Sequence, residues 1–272
     1  MPQRIVISGA SSGIGFALAR HYLERGAIVA AFARRGELLQ TLAEEFPGRV
    51  FCYALDVRDA PAVQNAANDF IARAGCPDVV IANAGVSVGT LTEYAEDIDA
   101  FQQVLDINVL GMVKTFQPFI AAMRANSSPD LLPPDKGGMG GLGRPGGVLA
   151  GIASVAGFRG LPGASAYSAS KAAAISYLES LRVELRGSGV KVVTICPGYI
   201  RTPMTASNPY PMPFMLDADE AAKRMARAIE RGTAFTVIPW QMGLAGGALK
   251  LLPRWLYDRL FANAPRKPRR YI

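Results

Sequence analysis

The chain has 272 residues, of which 50% are apolar and 19% charged, and its formal net charge is +7. That composition places it among folded proteins, soluble or surface-associated, and no apolar run reaches the roughly 18 residues needed to cross a bilayer. Cys52, Cys76 and Cys196 lie far apart with no paired or metal-type spacing, and His21 is the single histidine, which excludes a histidine triad and a multi-histidine metal site.

The predicted elements alternate. Residues 4–8 form an apolar strand that runs into Gly9-Ala10-Ser11-Ser12-Gly13-Ile14-Gly15, and helical periodicity follows over 14–25, with Gly26 as its stop. Residues 27–33 are nearly continuously apolar, as in a strand buried on both faces of a parallel sheet. A helix over 36–46, a strand over 49–55, a helix over 60–74 and a strand over 78–82 come next, the last leading into Asn83-Ala84-Gly85. Residues 97–124 read as one long helix interrupted by Gly111 and Pro118. Residues 126–147 hold seven glycines and four prolines without periodicity and read as an inserted surface loop. A strand over 146–152, a helix over 164–185 and a strand over 190–196 resume the alternation. A Pro- and Met-rich flap over 203–216, a helix over 218–231 and a strand over 235–238 complete it.

Such alternation predicts an α/β fold, a doubly wound parallel sheet of the Rossmann-like kind with helices on both faces. Residues 1–240 are expected to form one catalytic domain and 241–272 an appended tail. The start of the chain enters a strand without a signal-peptide pattern, so cytoplasmic residence is the expectation.

Two stretches carry chemistry. The glycine turn at a strand-to-helix junction allows close backbone approach, and a helix N-terminus favours a pyrophosphate. Its spacing differs from the common dinucleotide fingerprint, and a turn that only joins strand to helix is the alternative. In Tyr167-Ser168-Ala169-Ser170-Lys171, the four-residue spacing puts Tyr167 and Lys171 on one helical face. An ammonium there is expected to lower the phenol's pKa from its usual value near 10 and so make Tyr167 an acid/base.

Together with Asn108, Ser154 and Pro197-Gly198, these motifs stand in an order that resembles the short-chain dehydrogenase/reductase family, from about residue 3 to 240. Ser8 stands where the family often has Thr, and Ala82 where it often has Asn. The resemblance implies an oxidoreductase that moves a hydride between a nicotinamide dinucleotide and a carbonyl/alcohol pair. It implies a catalytic set of Asn108, Ser154, Tyr167 and Lys171. Ser154 would hold the substrate oxygen, Tyr167 would pass the proton, Lys171 would tune Tyr167 and bind the nicotinamide ribose, and Asn108 would hold a relay water. By the same resemblance the cofactor would meet Gly9, Ser11, Ser12, Gly13, Ile14 and Gly15, then Asp56 and Val57 near the adenine. Asn83, Ala84 and Gly85 would line its ribose, and Pro197, Gly198, Ile200 and Thr202 its nicotinamide side. A homodimer or homotetramer built through the helices that follow Asp97 and Ala164 is also implied.

Cofactor choice turns on Phe32-Ala33-Arg34-Arg35. An NAD site usually has an acid here for the ribose 2′-hydroxyl. Two guanidiniums match a 2′-phosphate instead, so Arg34 and Arg35 favour NADP(H) over NAD(H). Met204, Tyr210, Met212, Phe214 and Met215 in the flap suit an apolar substrate cover, or packed core. No substrate is specified.

From Trp240 to Ile272 there are seven basic residues and one acid, nearly the whole charge imbalance. Leu244, Leu249, Leu251, Leu252, Trp255, Leu256, Leu260 and Phe261 beside Lys250, Arg254 and Arg259 have the composition of an interfacial helix on an anionic membrane. The other reading, and the preferred one, is a helix packed on the core or on a subunit, with 266–270 as a frayed end. Nucleic-acid binding is not expected, since no recognition motif accompanies the terminal charge. A protein of another class, a catalytically silent dinucleotide sensor or membrane-surface scaffold, would need at least one of the four catalytic positions broken.

Overall fold

In the computed structural model, which describes residues 1–127, 146–206, 208 and 210–269, strands and helices alternate as the periodicity predicts. They are β1 (Arg4–Ser8), α1 (Gly13–Glu24), β2 (Ile28–Ala33), α2 (Gly36–Glu45), β3 (Val50–Ala54), α3 (Ala60–Ala74) and β4 (Val79–Ala82). Then come α4 (Asp97–Leu105), a π-helical turn (Asp106–Leu110), α5 (Gly111–Ala125), β5 (Gly147–Ile152), α6 (Ser165–Glu184) and β6 (Val190–Pro197). Two-residue strands β7 (Ile200–Arg201) and β8 (Leu216–Asp217) bracket the flap. They are followed by α7 (Ala218–Arg231), β9 (Phe235–Ile238), α8 (Trp240–Leu251) and α9 (Arg254–Phe261).

Among the described residues the main sheet has seven strands, all parallel, in the order β3-β2-β1-β4-β5-β6-β9. The order reverses between β1 and β4, so the strand ends on either side of that point open a crevice at the carboxyl edge, where ligands bind in such sheets. Both faces are covered. Ile5, Ile7, Val29 and Ile81 pack with α1, α2 and α7 on one side, while Val6, Phe32, Val80 and Leu149 pack with α3, α5 and α6 on the other. Alternate residues of one strand feed the two cores, which is why these strands are apolar throughout rather than at every second position.

The predicted helix over 97–124 is not one α-helix. At Asp106–Leu110 the ladder widens, and the Gly111 amide reaches back five residues to the Asp106 carbonyl. Pro118, the other expected interruption, is accommodated inside α5. Of the predicted insertion, 128–145 lies outside the described residues, and Gly147 already belongs to β5.

The tail packs on the core. Met242 and Gly246 of α8 and Tyr257 of α9 are buried, Gly246 against the Phe158 ring. Arg159 donates to the carbonyls of Leu249 and Leu252 at 2.9 and 2.8 Å and stacks on the Tyr257 ring. The Tyr257 hydroxyl bonds the Gly160 carbonyl. The expectation of a frayed end over 266–270 is overturned for its described part. Lys267 donates to Ser87 at 2.9 Å, the Gly89 amide donates to Pro268, and Arg269 pairs with Asp97 and Glu96, each at 2.9 Å, while lying over the Tyr94 ring. A bidentate guanidinium with a second carboxylate and an aromatic face holds a chain end that composition alone reads as loose. Among the described residues, no helix is long and apolar enough to cross a membrane.

Candidate active site

A cleft of ≈ 260 Å³ runs along the carboxyl edge of the sheet, across the ends of β2, β1, β4, β5 and β6. The first strand end contributes Arg34 and Arg35, the second the glycine turn, the third Asn83–Gly85, the fourth Ile152–Ser154 and the fifth Pro197 and Gly198. Asp56, Val57, Tyr167, Lys171, Ile200 and Thr202 complete the predicted residues on its walls. Gly15 and Asn108 are not on that surface. A Cβ on Gly15 would strike the Gly9 carbonyl and the Asn83 amide, so this glycine serves the close approach of α1 to the turn.

The turn is shaped by the protein before any ligand is considered. Gly13 opens α1 with φ +57°, a conformation costly for a side-chain-bearing residue. Asn83 donates from its amide to the carbonyls of Ser8 and Gly9 at 3.1 and 3.2 Å, tying the turn to the end of β4. The N-cap of α1, Ser12, makes no side-chain capping bond, and the first turn carries no acid. Its amides therefore face the cleft without an anionic side chain of their own, which fits a phosphate-bearing group. Arg35 reaches the Ser12 hydroxyl at 3.2 Å, which brings one guanidinium to this end of the cleft. Asp56 is committed to Arg58 at 2.7 Å, and that bond holds its carboxyl below the usual range.

At the far end Ser154 caps the short turn Val155–Gly157, accepting from the Ala156 amide at 3.1 Å, and is nearly buried. Tyr167 stands in the first turn of α6 and lines the same cleft wall as Ser154. Lys171, one turn on, is buried and donates to the Ile152 carbonyl at 2.8 Å, its nitrogen 5.8 Å from the Tyr167 ring centre.

The predicted pKa relation between the two differs in the structure. Burial pushes the Tyr167 phenol up, and the neighbouring Ser154 hydroxyl draws it part of the way down. Lys171 is itself lowered to about 8 by burial. Desolvation penalises both charged forms and is the leading cause at each group.

Asn108 sits in the π turn, fully buried. Its carbonyl oxygen accepts from the Val86 amide at 2.8 Å, and its amide donates to the Val86 carbonyl at 3.0 Å and to Ser170 at 2.9 Å. Both amide protons are used within the protein. The side chain clamps the cleft wall after β4 to α6. Ser170, part of the motif yet not singled out, is its partner; only the meeting of the π turn with α6 makes that visible. Val86, Ile107 and Thr205 also line the cleft without having been named as site residues, and Met204, one of the flap residues expected to cover substrate or pack in the core, lines it too. Val86 and Ile107 are ordinary core residues in sequence terms, and Thr205 lies in a flap with no periodicity.

Fold and cleft together define a doubly wound protein with a crevice at the carboxyl edge of its sheet that runs from a glycine turn to a Ser–Tyr–Lys group. The sequence matches the short chain dehydrogenase family over residues 3–211, and the chain belongs to that family. It is 38% identical over 256 residues to an uncharacterised oxidoreductase of Myxococcus xanthus (strain DK1622), covering 93% of this chain and 94% of the relative. It is 33% identical over 237 residues to a 1-deoxy-11-beta-hydroxypentalenate dehydrogenase of Streptomyces avermitilis, covering 84% and 81%. A short chain dehydrogenase of Burkholderia cenocepacia J2315, solved in complex with NADP, superposes with a TM-score of 0.78 at 26% identity, covering 97% of this chain and 98% of that one. The chain is thus an oxidoreductase of the hydride-transfer class that acts on CH–OH groups with NAD(P)(H).

Proposed function

We propose that the protein uses NADP(H) to interconvert a carbonyl and an alcohol in a small, lipophilic substrate, with Ser154, Tyr167 and Lys171 as catalytic residues and Asn108 as their positioning partner. The observation that carries this reading is the continuity of one cleft, from Arg34 and Arg35 at the β2 end to Ser154, Tyr167 and Lys171 at the β5 end. The nicotinamide, when bound, supplies or takes up the hydride. Ser154 holds the substrate oxygen, and Tyr167 gives it a proton in reduction or removes one in oxidation. Lys171 meets the ribose hydroxyls and sets the field around Tyr167. Gly9, Ser11, Ser12, Gly13 and Ile14 hold the phosphates, with Gly15 behind them.

Preference for NADP(H) is argued from Arg34 and Arg35 directly after β2, with no acid at that strand end. An apolar substrate is argued from Met204 on the cleft wall and from the Tyr199 and Tyr210 rings, whose centres are 6.4 Å apart at the flap. Residues 1–240 form the catalytic unit and 241–272 the appended one. Exposed Ile98, Leu110 and Val183 on the outer sides of α4, the π turn and α6 support association of two or four copies through those helices. A silent sensor is the less favoured reading, because all four residues expected of a working site are present. Oxidation of NADPH and NADH is to be followed with a panel of ketones, aldehydes and quinones. Turnover of an apolar carbonyl with NADPH supports the reading. No turnover across the panel with tight NADPH binding would favour the sensor.

A further inference from the structure

The tail helices have an inner and an outer side. Met242, Gly246 and Tyr257 fix the inner side against the core, and Arg159 holds the carbonyl end of α8. The outer side of α8 is therefore fixed too, and it consists of Trp240, Leu244, Ala245, Ala248 and Leu251. Trp240 is 65% exposed, Leu244 67% and Leu251 85%. On α9 the outward residues include Trp255, at 69%, and Leu260, at 60%. A helix facing water would carry charge along such a face; the outward stripe of α8 from Trp240 to Leu251 carries none, while on α9 exposed Arg254, Asp258 and Arg259 stand among the outward residues. Exposed Lys250, Arg254 and Arg259, with one exposed acid, Asp258, border the α8 stripe, a net positive rim.

We propose that the outer faces of α8 and α9 dock on an anionic lipid surface, with the chain lying on the bilayer and not crossing it. The apolar stripe matches the depth of the interface between headgroups and acyl chains, and tryptophan is a residue that favours that level. The basic border supplies attraction to anionic headgroups. A second copy of the chain would cover the apolar stripe equally well. Two borders, each of three cations and one acid, are both net positive and would then repel, and this charge pattern selects the lipid over the copy.

Trp240 and Trp255 are the only tryptophans of the chain, so intrinsic tryptophan fluorescence reports this face alone. The test uses the full-length protein with vesicles of phosphatidylcholine, alone or mixed with phosphatidylglycerol. Expected are a blue shift and co-sedimentation with the anionic mixture, both weakened by added salt. Lys250→Gln, Arg254→Gln and Arg259→Gln should each weaken binding about fivefold. Leu244→Ser and Leu251→Ser should each weaken it roughly tenfold. Unchanged NADPH affinity in these variants separates lost docking from lost folding. If the leucine variants fail to fold, the glutamine series decides. Three outcomes overturn the proposal: no response to any vesicle, equal binding to neutral and anionic vesicles, or a blue shift that rises with protein concentration alone alongside a doubled mass.

Discussion

The side-chain amide of Asn108 donates to the Ser170 hydroxyl at 2.9 Å, and Ser170 in turn donates to the Tyr167 carbonyl at 2.7 Å. Sixty-two positions separate the first pair in sequence. The π turn makes the meeting possible, since the extra residue re-aims Asn108 toward α6, and such turns recur at functional sites. Ser170→Ala should leave a buried amide proton without a partner and cost about 1–3 kcal/mol in urea denaturation. Turnover should fall as Tyr167 loses its brace, and Ser170→Thr, which keeps the hydroxyl, should restore part of both. A Ser170→Ala protein as stable and active as the parent would show that the clamp is dispensable.

Tyr167→Phe removes the proton donor while keeping the ring. Turnover should fall to background, with NADPH affinity nearly unchanged by fluorescence titration. Full activity in that variant would place the acid/base elsewhere.

Arg34→Ala should weaken NADPH by roughly tenfold to a hundredfold, the range for hydrogen bonds to a charged group, and leave NADH close to its original affinity. Equal losses for the two cofactors would refute the 2′-phosphate assignment.

Lys171 ties stability to pH. In the folded chain it releases its proton near pH 8, against an ordinary value of 10.5. Between those values the unfolded chain binds more protons, so stability should rise as pH rises from about 8 toward 10.5. Below pH 8 both states are protonated and the burial cost is present in full. Lys171→Met should flatten that rise in a series of denaturation curves while abolishing turnover. A parent protein whose stability is flat across the window would contradict the burial effect.

Arg269 acts at the other end of the scale. Its hydrogen bonds hold the Asp97 carboxyl below the usual range, and they contribute to the lowering of Glu96. Lowered carboxyl values contribute stability above the unfolded values of about 4, and lose it as pH falls through the folded ones. Arg269→Ala should therefore lower the thermal midpoint at neutral pH, with the difference shrinking below about pH 4. A difference that persists unchanged into acid would mean that the chain end at Arg269 is held by packing on Tyr94 and not by charge.

Much of the fold was legible because local rules and the global arrangement agree. Doubly buried strands such as residues 28–33 are apolar throughout, and helices announce themselves by period and by stops such as Gly26. The glycine turn, Ser154 and the pair Tyr167–Lys171 were legible as well, since each sits at a strand end or at one helical spacing, where sequence distance sets spatial distance. Four features depended on the tertiary structure. The π turn leaves no mark on hydrophobic period, and Asn108 finds Ser170 only once α6 lies beside it. Desolvation of Tyr167 and Lys171 reversed a pKa relation that spacing predicted, because burial is a property of everything packed around a group. The hold on the chain end at Arg269 depends on a carboxylate more than 170 positions away. Sequence by itself determined the alternating chain and its chemistry-bearing turns, which arise from neighbours along the backbone. The clamp, the protonation balance, the anchored tail and its apolar outer face were decided by the tertiary structure, because they arise from neighbours across space.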